Sequence, residues 1–137
     1  MPTKRFTCSL KNLEEICDFV GHWAAQAGFN ESDIYAVQLA VDEATTNIME
    51  HGYGRECPSR IDITCETLED GLKVVIYDDA DPFNPETVPE PEINVSLDDL
   101  KPRGLGIFLM RKMMDEVQYE SSPDKGNTLT MIKRHAR

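Results

Sequence analysis

Apolar and polar positions change period several times along the chain, and each change predicts an element. Lys4 to Ser9 alternates as a short strand does. From Leu10 the apolar positions recur every three or four residues, through Leu13, Cys17, Val20, Ala24 and Ala27, which is the spacing of one helix face. Ser9 is placed to cap that helix and Gly28 to end it. A second helix follows from Ile34, Val37, Val41, Ala44 and Ile48, with Asn30 or Ser32 as its cap and Gly52 marking its end.

Beyond Pro58 the period drops to two. Ile61, Ile63 and Cys65 alternate with Asp62, Thr64 and Glu66, the pattern of a strand with one wet face. "EDG" turns the chain, and Leu72, Val74 and Ile76 share one face of the returning strand, so Asp78 points to that same apolar side. From Asp78 to Leu100 there is no Lys or Arg, and prolines fall at Pro82, Pro85, Pro89 and Pro91. Neither period survives there, which predicts a long loop of the kind that serves as a lid or binding loop. "RGLGIFLMRKMMDEV" then starts a helix at a Gly-x-Gly, and Val117–Ser121 and Thr128–Lys133 read as two strands joined by a turn at "PDKGN". The order predicts an α+β fold with a largely antiparallel sheet and helices on one face. No repeat or low-complexity tract divides it, so residues 1–137 are expected to form a single domain.

Charge narrows the possible partners. A formal net charge of −11 over 137 residues argues against direct nucleic-acid binding, which depends on Lys and Arg displacing counterions from phosphates. The four cysteines, Cys8, Cys17, Cys57 and Cys65, show no metal-binding or redox spacing and are expected as reduced thiols. The chain has no basic-then-apolar leader and no apolar run long enough for a membrane span, which predicts a cytoplasmic protein without membrane contact.

Against this background a few polar residues stand out. Glu43, Asn47 and His51 lie four residues apart and form one row on the second helix, at the margin of its apolar stripe. Such a row is either a solvated helix margin or a site; a carboxylate and an amide oxygen one turn apart can share work on a hard cation such as Mg²⁺. Asp78, aimed at the core side of a strand end, either caps the turn into "DADPFNP" or accepts hydrogen bonds from a ligand. "RGLG" ahead of a helix either ends the loop or presents backbone amides to phosphate. "GNTLT" has the look of an ordinary hairpin turn. His51 and Trp23 read as structural residues, and Met110, Met113 and Met114 as core.

Taken in order, these segments resemble the GHKL ATPase superfamily with the Bergerat ATP-binding fold, and within it the small anti-sigma-factor serine/threonine-protein kinases of bacterial partner-switching systems. "DEATTNIMEHGY" resembles the family's N box, "DDADPFNP" its adenine-binding G1 box, "RGLGIFLMRKMMDEV" its G2 box and "GNTLTM" its G3 segment. The resemblance covers almost the whole chain and implies a two-layer α/β sandwich with an ATP lid over about residues 80–103. It implies ATP and Mg²⁺ as cofactors, Glu43 as catalytic base and Asn47 as the Mg²⁺ ligand. Asp78 would take the adenine amino group in the G1 segment that holds Ala80, Gly104, Leu105 and Gly106 would lie by the phosphates, and Thr128 would support the adenine side; separately, the position of Arg103 beside Gly104 suggests a phosphate contact. Implied partners are a STAS-domain anti-anti-sigma protein as phosphoacceptor, a sigma factor and a second copy in a homodimer. Ala80 departs from the family's G1 glycine, and Lys101 and Pro102 replace lid glycines. A non-catalytic module of the same fold, holding a sigma factor or STAS protein, is the rival reading; Glu43 favours catalysis, since a pure binder has no use for it.

Overall fold

The computed structural model describes residues 2–7, 9–51, 60–79, 109–122 and 126–135. Strand β1 (Thr3–Phe6) leads through a 3₁₀ turn (Leu10–Asn12) into helix α1 (Leu13–Gln26) and helix α2 (Glu31–Thr46), which widens into a π turn (Asn47–His51). Strands β2 (Ile61–Leu68) and β3 (Gly71–Asp78) follow, then helical residues 109–113 and strands β4 (Glu116–Ser122) and β5 (Gly126–Arg134). The five strands form one sheet in the order β1-β2-β3-β5-β4, and every pairing is antiparallel. This is the predicted α+β architecture. Residues 80–108, which hold the predicted lid and the Gly-x-Gly, lie outside the described residues, as do Gly52 and Pro58.

The period-two segments alternate as their sequence dictates. Ile61, Ile63 and Cys65 on β2, Leu72, Val74 and Ile76 on β3, and Leu129 and Met131 on β5 are all buried, and they join Ile16, Val20 and Ala24 of α1 and Val37, Ala40, Val41 and Ala44 of α2 in one core. Met110 and Met114 close that core from the helical segment, as expected of a core stripe, and Trp23 packs against it. The α1 stripe is rotated from its predicted axis. Ile16, Val20 and Ala24, four residues apart, carry the burial, while Leu13 and Cys17 are half-buried. Counting period alone could not choose between two adjacent apolar rows; contact with the sheet does.

Helix ends follow local chemistry. The Asn30 side chain accepts the Asp33 backbone N–H at 2.8 Å, so Asn30 rather than Ser32 caps α2. Ser9 accepts from the Lys11 N–H at 3.3 Å and thus serves the 3₁₀ turn, not α1 itself. At the end of α1, Phe29 N–H bonds Ala24 O and Gly28 N–H bonds Ala25 O, with Gly28 at φ +90°, the paired closure that a glycine makes possible. Among the described cysteines, Cys17 and Cys65 are free thiols, and burial pushes Cys65 up to about 12, which suits an inert core residue. Among the described residues no helix is long and apolar enough to cross a membrane.

Candidate functional site

Four polar side chains are buried among the described residues: Thr45, Asn47, Asp78 and Asn127. Burial of such groups is costly unless they are partnered, so each calls for an explanation. Thr45 has a local one, since its hydroxyl donates to Val41 O at 2.8 Å within α2. The other three sit at element ends: Asn47 where α2 passes into the π turn, Asp78 at the last residue of β3, Asn127 at the second residue of β5.

Asn47 is 5% exposed, and its amide side chain has no hydrogen-bond partner among the described residues. Its backbone N–H is shared between the carbonyls of Ala44 and Glu43, three and four residues back, at the point where α2 passes into the π turn. The sequence pattern continues the helix through this point, and nothing in residue type foretells the widening. Glu43, one turn earlier, is half-buried, and its carboxyl is pushed above the ordinary carboxylate range, first by burial and then by the neighbouring Asp42 charge. A half-buried carboxylate with raised proton affinity, one helical turn from a buried amide, is suited to taking a proton. The side chain of His51, at the end of the same row, lies outside the described residues.

Asp78 is 6% exposed on the sheet face shared with Leu72, Val74 and Ile76. Asn127 lies opposite it in register across β3 and β5 and donates Nδ2 to Asp78 Oδ1 at 2.9 Å. Gly126 makes that approach possible: it has φ +81°, and a Cβ there would meet the Tyr77 hydroxyl at 2.6 Å and Asp78 O at 2.7 Å. Thr128 pairs with Tyr77 and Glu120, so its side chain stands on the sheet face away from Asp78 and Asn127. The residue beside the carboxylate is therefore Asn127, which a hairpin-turn assignment of "GN" conceals. Extending the alternation of Leu129 and Met131 back by two residues would have found it.

The family model of the histidine kinase-like ATPase domain matches residues 6–133. The chain belongs to the histidine kinase-like ATPase family. The serine-protein kinase RsbW of Staphylococcus aureus is 37% identical over 114 residues, spanning 80% of this chain and 70% of that protein. RsbW of Bacillus velezensis is 32% identical over 114 residues with the same coverage. A solved structure of the RsbU and RsbW domains of Rv1364c from Mycobacterium tuberculosis superposes with a TM-score of 0.62 at 16% identity, over all of this chain and 33% of that one, a likeness of fold. Among histidine kinase-like ATPases, the chain stands with the anti-sigma-factor kinase branch of the GHKL superfamily.

The residues present fit the cofactors of a histidine kinase-like ATPase. Mg²⁺ takes few protein oxygens and fills its octahedron with phosphate and water, so one buried amide with an uncommitted oxygen is a sufficient protein contribution. Asp78, held inward by Asn127, offers a carboxylate to an exocyclic amine. Ala80, Arg103, Gly104, Leu105 and Gly106 lie outside the described residues.

Proposed function

We propose that this chain is an ATP-dependent serine/threonine-protein kinase and anti-sigma-type regulator. It phosphorylates a STAS-domain antagonist and sequesters a sigma factor in a bacterial partner-switching system, as a cytoplasmic homodimer. The observation that carries the reading is Glu43: a half-buried carboxylate of raised proton affinity one helical turn before the buried Asn47 amide. Its similarity to proteins named serine-protein kinase RsbW supports the same reading.

Mg²⁺-ATP would supply the phosphoryl group and neutralise the charge that builds on it. Asn47 would give the ion its one protein oxygen. Asp78 would orient the base through its amino group, with Asn127 fixing the carboxylate rotamer. Glu43 would accept the proton of the acceptor hydroxyl, and the Asp42 charge beside it strengthens it as a base. Because its pKa is raised, the transfer rate should climb with pH along a limb displaced above the ordinary carboxylate range.

The test is transfer from ATP to a STAS-domain protein with Mg²⁺, comparing wild type with Glu43→Ala. Removal of a general base is expected to slow transfer by about 10²–10⁴-fold while nucleotide binding persists. Transfer that survives in the variant would remove Glu43 from the mechanism. The second reading, a binder in which nucleotide only tunes affinity, draws on Ala80, whose methyl replaces the G1 glycine; it is what remains if wild type transfers phosphate to no STAS acceptor.

A further inference from the structure

A concave surface lies between α1 and α2. It is a groove of about 370 Å³, lined by none of the residues proposed above to contact nucleotide or take the proton; Asp42, the neighbour of Glu43, reaches its rim. Leu13 and Leu39 give it an apolar lining, and Tyr35, 65% exposed, stands open to solvent at its side. Gln38 donates from α2 to Cys17 O of α1 at 3.1 Å, tying the two helices together at the groove. Tyrosine is a residue type enriched at interfaces, where it serves as an anchor.

The charge around this groove has one sign. Neither α1 nor α2 contains a Lys or Arg; all 14 cations of the chain lie elsewhere. Glu15 and Asp33 on these helices are paired with Lys4 and Lys133 from strands β1 and β5. Glu14 and Asp18, which line the groove, have no ion-pair partner among the described residues. Their field reaches inside: the Cys17 thiol is pushed up first by burial, then by Asp18, Asp42 and Glu14.

We infer that the α1–α2 groove docks a protein partner presenting an amphipathic helix whose leucine-like stripe is flanked by Lys or Arg. The inference rests on the reading that this chain acts by binding other proteins, but not on its being a kinase. A groove between two helices accepts side chains spaced at three and four along a third. Basic flanks complement Glu14 and Asp18 and raise the rate of encounter. A symmetric contact between two copies through this face would set those acids against their own counterparts, and a nucleic acid would meet the same repulsion.

The probe is a short synthetic helical peptide of leucine and lysine at that spacing, titrated into the full chain without nucleotide. Binding is followed by fluorescence anisotropy and mapped by amide chemical shifts. Asp18→Lys in the groove is expected to weaken binding about fivefold or more, while Glu120→Lys on β4, the same change of charge elsewhere, should change it less than about twofold. Tyr35→Ala, at an exposed position that leaves charge and fold untouched, should weaken it by about threefold or more. Equal losses from Asp18→Lys and Glu120→Lys, or shifts centred away from Leu13, Tyr35 and Leu39, would overturn the inference. So would a groove variant that altered only the mass of the protein in light scattering, which would make this face a contact between copies. Failure of phosphotransfer with intact peptide binding would count against the kinase alone.

Discussion

Helices α1 and α2 lie side by side, cover the same core and differ by two residues in length, yet they end in opposite ways. α1 closes on itself: Gly28 turns left-handed, two backbone bonds satisfy its last carbonyls, and the His135 ring reaches Ala27 O at 2.8 Å from the far end of the chain. α2 stays open. It loosens into the π turn and buries the Asn47 amide one turn past a carboxylate that burial disfavours. One terminus satisfies its backbone groups; the other buries polar groups at a cost, and those groups are the ones proposed to carry the chemistry. Sites that cost stability in this way mark function more clearly than sites that add to it.

The contrast can be broken from either side. Asn47→Leu should have the largest effect: if Asn47 supplies the ion's protein oxygen as proposed, phosphotransfer falls on the order of 100-fold or more. The thermal midpoint should hold or rise, since a buried amide is replaced by a hydrocarbon of similar size; a large drop in the midpoint would make Asn47 structural. Ile16→Ala, in the α1 stripe, should do the reverse. Unfolding in denaturant is expected to show a loss of about 2–5 kcal/mol, with turnover per folded molecule unchanged. Gly28→Ala sharpens the point about termini, costing about 1–2 kcal/mol in the same titration by forcing a Cβ into left-handed backbone.

The smallest effect concerns Glu43. Its pKa is raised on folding, so the folded protein holds that proton more tightly than the unfolded chain, and the ionised form costs stability at every pH above the raised value. Glu43→Gln should therefore raise the melting temperature slightly at neutral pH. The gain should shrink through the window between the raised and ordinary values and vanish below the ordinary carboxylate range. A constant gain across that titration would show that the carboxylate is not what burial penalises.

Much of this was legible in the sequence where one physical rule dominates. Strict alternation fixed the inner faces of β2 and β3 and aimed Asp78 inward, because a strand leaves a side chain only two directions. Asn30 and Gly28 announced helix ends through hydrogen bonds that span three to five residues. Three features were hidden, each for a different reason. The rotation of the α1 stripe depends on which row meets the sheet, a tertiary fact. The π turn at Asn47 is a change of hydrogen-bond closure that no residue type encodes. Asn127 sat in a dipeptide typical of turns, and the strand pairing with β3 overrode that preference. Thr128, its neighbour, carries the family resemblance in sequence but faces away from Asp78 across the sheet.

The strand order has a consequence for how the protein is assembled. β5 is the last strand of the chain, yet it sits between β3 and β4, and β4 pairs with no other described strand. A ribosome releasing the chain in order exposes β1, β2 and β3, able to pair among themselves, well before their fourth neighbour exists. β4 has no described strand to pair with until β5 emerges, and Asp78 must wait for Asn127. The Asp78 carboxylate is thus in place on β3 early, while the Asn127 amide that holds it arrives only with the final strand.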